Sequence, residues 1–215
     1  MRFVFFMMLL SGAMLANAQT DSLHKDSVQY QQGFSFRQGI YLNYDQFRSN
    51  RPLSKSAIVS EGDTSRFDYI RLALGRESFQ WKDSTGKLHQ TKTASVWGYS
   101  ENKTVYIRWN NSFSRVVVIG TICHFAAEVT TYMYTGPGTY PNQQSGTPVE
   151  SMQQYVIDTK TGTVYDFNVT TMQFLLQRDA ALSAEYSALR KKQKKDQAFV
   201  FLRKYNEKHA LYFPK

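Results

Sequence analysis

Between Pro52 and Phe167 the hydrophobic residues fall in short runs with the two-residue period of strands, and only after about residue 169 does the period lengthen to that of a helix. The runs are Phe67–Leu74, Phe79–Trp81, Ser95–Tyr99, Thr104–Trp109, Phe113–Ile119, Thr121–Tyr134, Tyr155–Asp158 and Thr163–Phe167. Brief polar turns separate them: Asp83–Gly86, Glu101-Asn102-Lys103, Asn110-Asn111-Ser112 and the stretch around Lys160-Thr161-Gly162. A longer loop rich in Gly, Pro and Asn covers residues 135–148. Short strands joined this way predict antiparallel hairpins in series, not βαβ units. Ahead of them, Gly39–Leu42 reads as a short strand, and Asn43 as the cap of a helical turn over Tyr44–Asn50 that Pro52 halts.

The tail predicts a short helix over Thr171–Gln177 and then a long one that starts at an Asp179 cap and ends between Asn206 and Pro214. At 100° per residue, Leu182, Tyr186, Leu189 and Val200 form one apolar stripe, with Lys191, Lys192, Lys194 and Lys195 pointing mostly to the opposite side. The expected fold is α+β: a curved antiparallel β-sheet, hairpin or meander, with the C-terminal helices packed on one face. No fixed-period repeat is visible.

Within the Thr121–Tyr134 strand, neighbours face opposite sides. Cys123, Phe125, Ala127, Val129 and Met133 make an apolar face; His124, Ala126, Glu128, Thr130, Tyr132 and Tyr134 make a more polar one. That alternation assigns Cys123 to the interior as an inert thiol and separates it from His124, the adjacent base. His124 and Glu128 share the polar face as solvent-facing residues, but four residues of strand put about 13 Å between them. Gly120 marks a place where a bulge would shift the register before it.

The start of the chain changes the compartment. Arg2, an apolar run from Phe3, and Ala16-Asn17-Ala18 have the layout of an export signal cleaved after Ala18, so the exported product is periplasmic or secreted. Its apolar run is shorter than the roughly 20 residues of a membrane span, and no later stretch is long or apolar enough. Residues 19–32 read as a flexible leader, and 33–215 as one domain, β-rich over 33–168 and helical over 169–210. Cys123 is the lone cysteine, so no internal disulfide forms and packing alone must supply stability; 14 Tyr and 15 Phe provide the material. The formal charge of +9 is uneven, since residues 178–215 hold ten Lys/Arg against four Asp/Glu.

No sequence motif assigns a chemistry. Gly136-Pro137-Gly138 lacks the Lys-Ser/Thr of a phosphate loop, and neither a Gly-x-Ser-x-Gly elbow nor a His-Glu-x-x-His helix occurs. His89 and His209 have no partner at a metal-binding spacing, and no cofactor is expected. The expectation is an exported, non-catalytic envelope protein with a binding or structural role. The alternative is a secreted hydrolase whose carboxylates, such as Asp63 with Asp68 or Asp158 with Asp166, come together from separate strands. For binding, the candidates are Tyr106, Arg108, His124, Glu128, Tyr132 and Tyr134, with an envelope protein or glycan as partner. Lys191, Lys192, Lys194 and Lys195 would touch an anionic surface; nucleic acid is disfavoured for an exported chain.

Three stretches resemble uncharacterised exported proteins of Bacteroidota. One runs from Gly39-Ile40-Tyr41 through Phe47-Arg48-Ser49-Asn50-Arg51-Pro52. The second is Trp97-Gly98-Tyr99 followed by Val105-Tyr106-Ile107, and the third is Leu202-Arg203-Lys204-Tyr205-Asn206-Glu207-Lys208-His209. The resemblance implies a compartment and no catalytic residues. Ala210 departs from it, since the pattern places proline there.

Overall fold

A computed structural model describes residues 26–31, 33–59, 64–133 and 147–215. The first half of the chain supplies β1 (Ser27–Gln29), β2 (Gly39–Tyr41), α1 (Tyr44–Arg48), β3 (Leu53–Ser54), β4 (Ile58–Val59), α2 (Tyr69–Leu74), β5 (Ser78–Lys82) and β6 (Leu88–Lys92). Then come β7 (Gly98–Glu101), β8 (Thr104–Trp109), β9 (Ser112–Val118), β10 (Ile122–Met133), β11 (Thr147–Asp158) and β12 (Val164–Asp166). Helices α3 (Val169–Leu176), α4 (Ala180–Ala188) and α5 (Lys191–Lys208) follow, and β13 (Tyr212–Pro214) comes last.

Eight strands form one antiparallel sheet in the order β12-β11-β10-β9-β8-β7-β2-β3, curled into a half-barrel. The registers of β7 with β8 and of β8 with β9 are set locally by two-residue turns. Asn102, Lys103, Asn110 and Asn111 all take left-handed backbone, with φ of 50°, 61°, 46° and 63°. That geometry matches the twist of the strands it joins, and Asn tolerates it well. The pairs Glu101↔Thr104 and Trp109↔Ser112 therefore close the hairpins directly. Strands β4, β5 and β6 make a separate three-stranded sheet, and β1 pairs with β13.

The alternation predicted for the strands sorts the sheet into two faces. Inward point Val105, Ile107, Val116, Cys123, Phe125 and Ile157, and this hollow is filled by Phe36, Phe47, Leu211 and Phe213. Each such buried aromatic or aliphatic side chain contributes roughly 1.5–3 kcal/mol. The outer face is covered twice. At one end Ile122 and Val156 lie under Met172, Leu175, Leu176, Phe201, Leu202 and Tyr205 of the C-terminal helices. At the other, Ile40 and Tyr99 lie under Tyr69, Ile70 and Leu74 of α2 and Phe79 of the small sheet.

Asn43 caps α1 as expected, accepting from the Gln46 N–H at 3.0 Å. Four expectations need correction. Phe67–Leu74 is not a strand: Tyr69–Leu74 is helical and buries Tyr69, Ile70, Ala73 and Leu74, a helical spacing that the β-forming Tyr and Ile disguised. The long C-terminal helix is two, because Leu189 and Arg190 take extended backbone. The break resets the phase, so Val200 is 47% exposed and Ala198, Phe201, Leu202 and Tyr205 carry the buried stripe instead. Order begins before Gly33, since Ser27–Gln29 pair with Tyr212–Pro214. Finally, β11 starts at Thr147, well before Tyr155. The expected signal at Met1–Ala18 and most of the 135–148 loop lie outside the described residues. Among the described residues no helix is long and apolar enough to cross a membrane.

Hydrogen-bonded latches fasten the helices to the sheet. Asn206 on α5 donates to the Ile122 carbonyl and accepts from its N–H, both at 2.8 Å. Gly120 leaves room for that amide; a Cβ there would run into the Asn206 side chain. Asp179, the cap of α4, accepts from the Leu182 N–H and from Lys208 and His209 at the end of α5. Those donors hold its carboxyl well below the usual carboxylate range.

Candidate functional site

The outer face is left open between its two coverings, and the strands that cross the opening are β8 and β9. Tyr106 stands opposite Arg115 and Arg108 opposite Phe113, so these four side chains project to the same side. Tyr106 is stacked on Tyr99, with ring centroids 4.6 Å apart, and so leans on the α2 covering. The Arg108 guanidinium lies over the Phe113 ring, 5.7 Å from its centroid, which holds it along the sheet. Arg115 is exposed.

Next to them the register of β9 against β10 slips. Val118 faces His124 while Val116 faces Phe125, which leaves Val117 as the extra residue of a β-bulge. Val117 is 65% exposed on the open strip. The bulge thus falls three residues before Gly120, the position from which the sequence foretold a shift.

Strands β10 and β11 continue past the body as a ribbon. They pair with each other over their full length, from Ile122↔Asp158 to Met133↔Thr147. Among the described residues, no third strand pairs with Ala126–Met133 or Thr147–Gln154. The root of this arm is still part of the body, since Ala127 is buried in the hollow and Val129 packs against it, and the exposed part begins beyond them. Its outer side carries Glu128 opposite Met152, Thr130 opposite Glu150 and Tyr132 opposite Pro148. Met152 and Tyr132 are 69% and 62% exposed.

At the root of the arm the sequence reading needs a further correction. His124 does lie on the outer side, but at 6% exposure it is buried, not solvent-facing. The rings of Phe167 and Phe199 close over it with centroids 5.2 and 4.6 Å away. Its Nε2 is 3.3 Å from Gln154 Oε1, and its Nδ1 is buried without a hydrogen-bond partner among the described residues. Burial pushes its pKa down, partly offset by the Gln154 contact. His124 is therefore part of the seat of α5, not a contact residue.

Helix α5 borders the open strip. Asn206 is fixed to Ile122 and Phe199 sits on His124, so the helix runs back along β10 and directs its first turn toward the arm. That turn carries Lys191, Lys192, Lys194 and Lys195, and among the described residues none of the four has an ion-pair partner. Lys191 and Lys192 at the positive end of a helix dipole are unfavourably placed, and they repel the neighbouring lysines. Tyr106, Arg108, Glu128 and Tyr132 thus share the outer side of the sheet, on which α5 covers Ile122 of β10. Tyr134 lies outside the described residues. Arg115, Val117 and Met152 are the members that sequence reasoning missed; the alternation of β9 marked Arg115 and Val117, whereas Met152 lies in the part of β11 before Tyr155 that was not read as strand.

The groups considered for catalysis are engaged elsewhere. Cys123 points into the hollow of the sheet, opposite in direction to His124; burial pushes its thiol up to about 12. Asp158 is fully buried in a two-pronged pair with Arg178, at 2.8 and 2.6 Å, so it is no free partner for Asp166. Asp63 lies outside the described residues. His89 and Asp83 are 2.7 Å apart, but this pair staples the β5–β6 turn: Asp83 also accepts from Thr85 and Lys87, and His89 is stacked on Trp81. Among the described residues no cluster of three His, Cys, Asp or Glu side chains could hold a metal ion.

No curated protein and no solved structure matches the chain. A family model matches residues 39–209, which run from the first strand of the large sheet to the end of α5, and the chain accordingly belongs to DUF6563, a family of unknown function.

Proposed function

We propose that this is an exported, non-catalytic protein of the cell envelope that binds a partner on the open strip of the outer sheet face and the adjoining ribbon. Export rests on the layout of Met1–Ala18. The binding reading rests on one observation: Val117, Tyr132 and Met152, all large and exposed, are spread along the same outer side as half-buried Tyr106 and Arg108. Tyr and Arg are the residue types that anchor contacts.

A photo-crosslinking residue placed at Val117 or at Tyr132, in cells of the natural host, tests the reading. The same residue at Leu88, exposed on the small sheet, is the control. A discrete adduct from the two strip positions and none from Leu88 is the expected result. Equal labelling at all three positions, or none at any, would refute it.

A further inference from the structure

We infer that the partner is an acidic polysaccharide, a linear chain bearing carboxylates, that lies across the strip from Arg108 and Arg115 to the first turn of α5. This rests on the binding reading above and supplies its chemistry. Two basic groups far apart in sequence belong to the outer side of the sheet, one on β8 and β9 and one on the helix that covers Ile122 of β10. Arg108 and Arg115 project from neighbouring strands to the outer side, and Lys191, Lys192, Lys194 and Lys195 sit on the helix that borders it. Against these cations the same side presents Glu128, Glu150 and Asp196, so the balance is positive.

The two ends offer different donors. A guanidinium presents a planar fork that matches a carboxylate, and Arg108 is already held in place by the Phe113 ring. The lysines are mobile point charges that tolerate variable spacing along a polymer. Between and beside them, Tyr106 and exposed Tyr132 offer the flat, partly polar faces on which sugar rings pack. A membrane surface fits less well. Docking of α5 to lipid needs a row of large apolar residues beside its lysines, whereas Phe201 and Leu202 are committed to the core and Val200 is the one large hydrophobic that the helix exposes.

The test is a titration of the full chain, as its host produces it, with polygalacturonate, neutral dextran and vesicles of phosphatidylglycerol at low and physiological salt. Three variants accompany it: R108Q/R115Q, K191Q/K192Q/K194Q/K195Q, and K82Q/K87Q/K92Q, which removes charge from the small sheet instead. Polygalacturonate should bind and dextran should not, and salt should weaken the binding by screening. Each of the first two variants should bind about tenfold more weakly or worse, and the third within a factor of about two, because only the first two alter the field of the strip. The inference is overturned if R108Q/R115Q binds like the parent, if the small-sheet variant weakens as much as the others, or if vesicles bind and polygalacturonate does not. Should R108Q/R115Q melt early, R115Q alone, at an exposed site, gives the same reading. Failure here together with site-specific crosslinking at Val117 would leave the binding surface standing and remove the polysaccharide.

Discussion

Arg178→Met should cost this protein a large part of its stability, and the cost should depend on pH in a defined direction. The Asp158 carboxylate is wholly buried at the end of β11, and Arg178 Nη1 and Nη2 donate to its two oxygens at 2.8 and 2.6 Å. Removing one member of a buried ion pair leaves an uncompensated charge, which costs about 3–5 kcal/mol. The Lys160 N–H and Thr161 hydroxyl still donate to Asp158, at 3.0 and 3.2 Å, which argues for the lower end. Against a typical total of about 5–15 kcal/mol that remains a large fraction.

The pH dependence follows from the carboxyl. Burial alone would raise its pKa, but Arg178 and the other donors hold it below the ordinary value. In the parent, therefore, Asp158 contributes stability that is present above the unfolded pKa of about 3.9 and lost as pH falls through the folded one. In R178M, burial is opposed only by the weaker donors, and the folded pKa rises above the unfolded one. The variant then regains stability as pH falls through that raised pKa, and the gap between the two proteins narrows in acid. Urea unfolding followed by tryptophan fluorescence, repeated across pH, measures both effects. D158N/R178M should recover most of the loss, because no buried charge remains. A deficit under about 1 kcal/mol near neutrality, or one that does not change with pH, would refute the argument.

Three further outcomes are expected. Asn206→Ala leaves both the N–H and the C=O of Ile122 unmatched under α5, and should lower stability by about 2–4 kcal/mol in the same urea assay; a change below about 0.5 kcal/mol would mean water replaces the amide. His124, whose pKa is depressed by burial, contributes stability that is present above its unfolded value of about 6.5 and lost as pH falls through the lower folded one. His124→Leu should remove that part of the acid sensitivity, and an NMR titration of the imidazole should show the depressed midpoint; an ordinary midpoint contradicts the burial. Tyr132→Ala with Met152→Ala, on the exposed arm, should alter stability by no more than about 0.5 kcal/mol while abolishing strip-dependent crosslinking at Val117.

Features decided by neighbours in sequence were readable in advance, and those decided across the fold were not. Asn110-Asn111 announces its turn because the left-handed backbone is a local demand, and Asn43 announces its helix because the cap bonds only three residues ahead. The faces of β10 followed from alternation alone. By contrast, Tyr69–Leu74 is helical because its stripe fits against Phe79 and Tyr99, contacts that strand-forming residues do not advertise. The break at Leu189 has neither Gly nor Pro; its one local trace is Gln193, whose side chain accepts from the Arg190 N–H as in a capping box. His124 looked exposed because its neighbours on the same face, Glu128 and Tyr132, are; Phe167 and Phe199, both far along the chain, return to bury it. The strip was half legible. Tyr106, Arg108 and the lysines were marked by type, but that helix and sheet bring them to one side is a property of packing.

The pairing of β1 with β13 has a consequence for the order of events in making this protein. Tyr30 and Phe34 close the hollow of the sheet together with Phe213, and the Arg48 side chain holds the Tyr212 carbonyl at 2.6 Å. The innermost layer thus joins segments from opposite ends of the described chain, and it cannot be completed until residue 213 has been synthesised. Contacts so distant along the chain form slowly. A chain whose interior closes only once residue 213 has emerged suits threading through a translocation channel, as the proposed export requires.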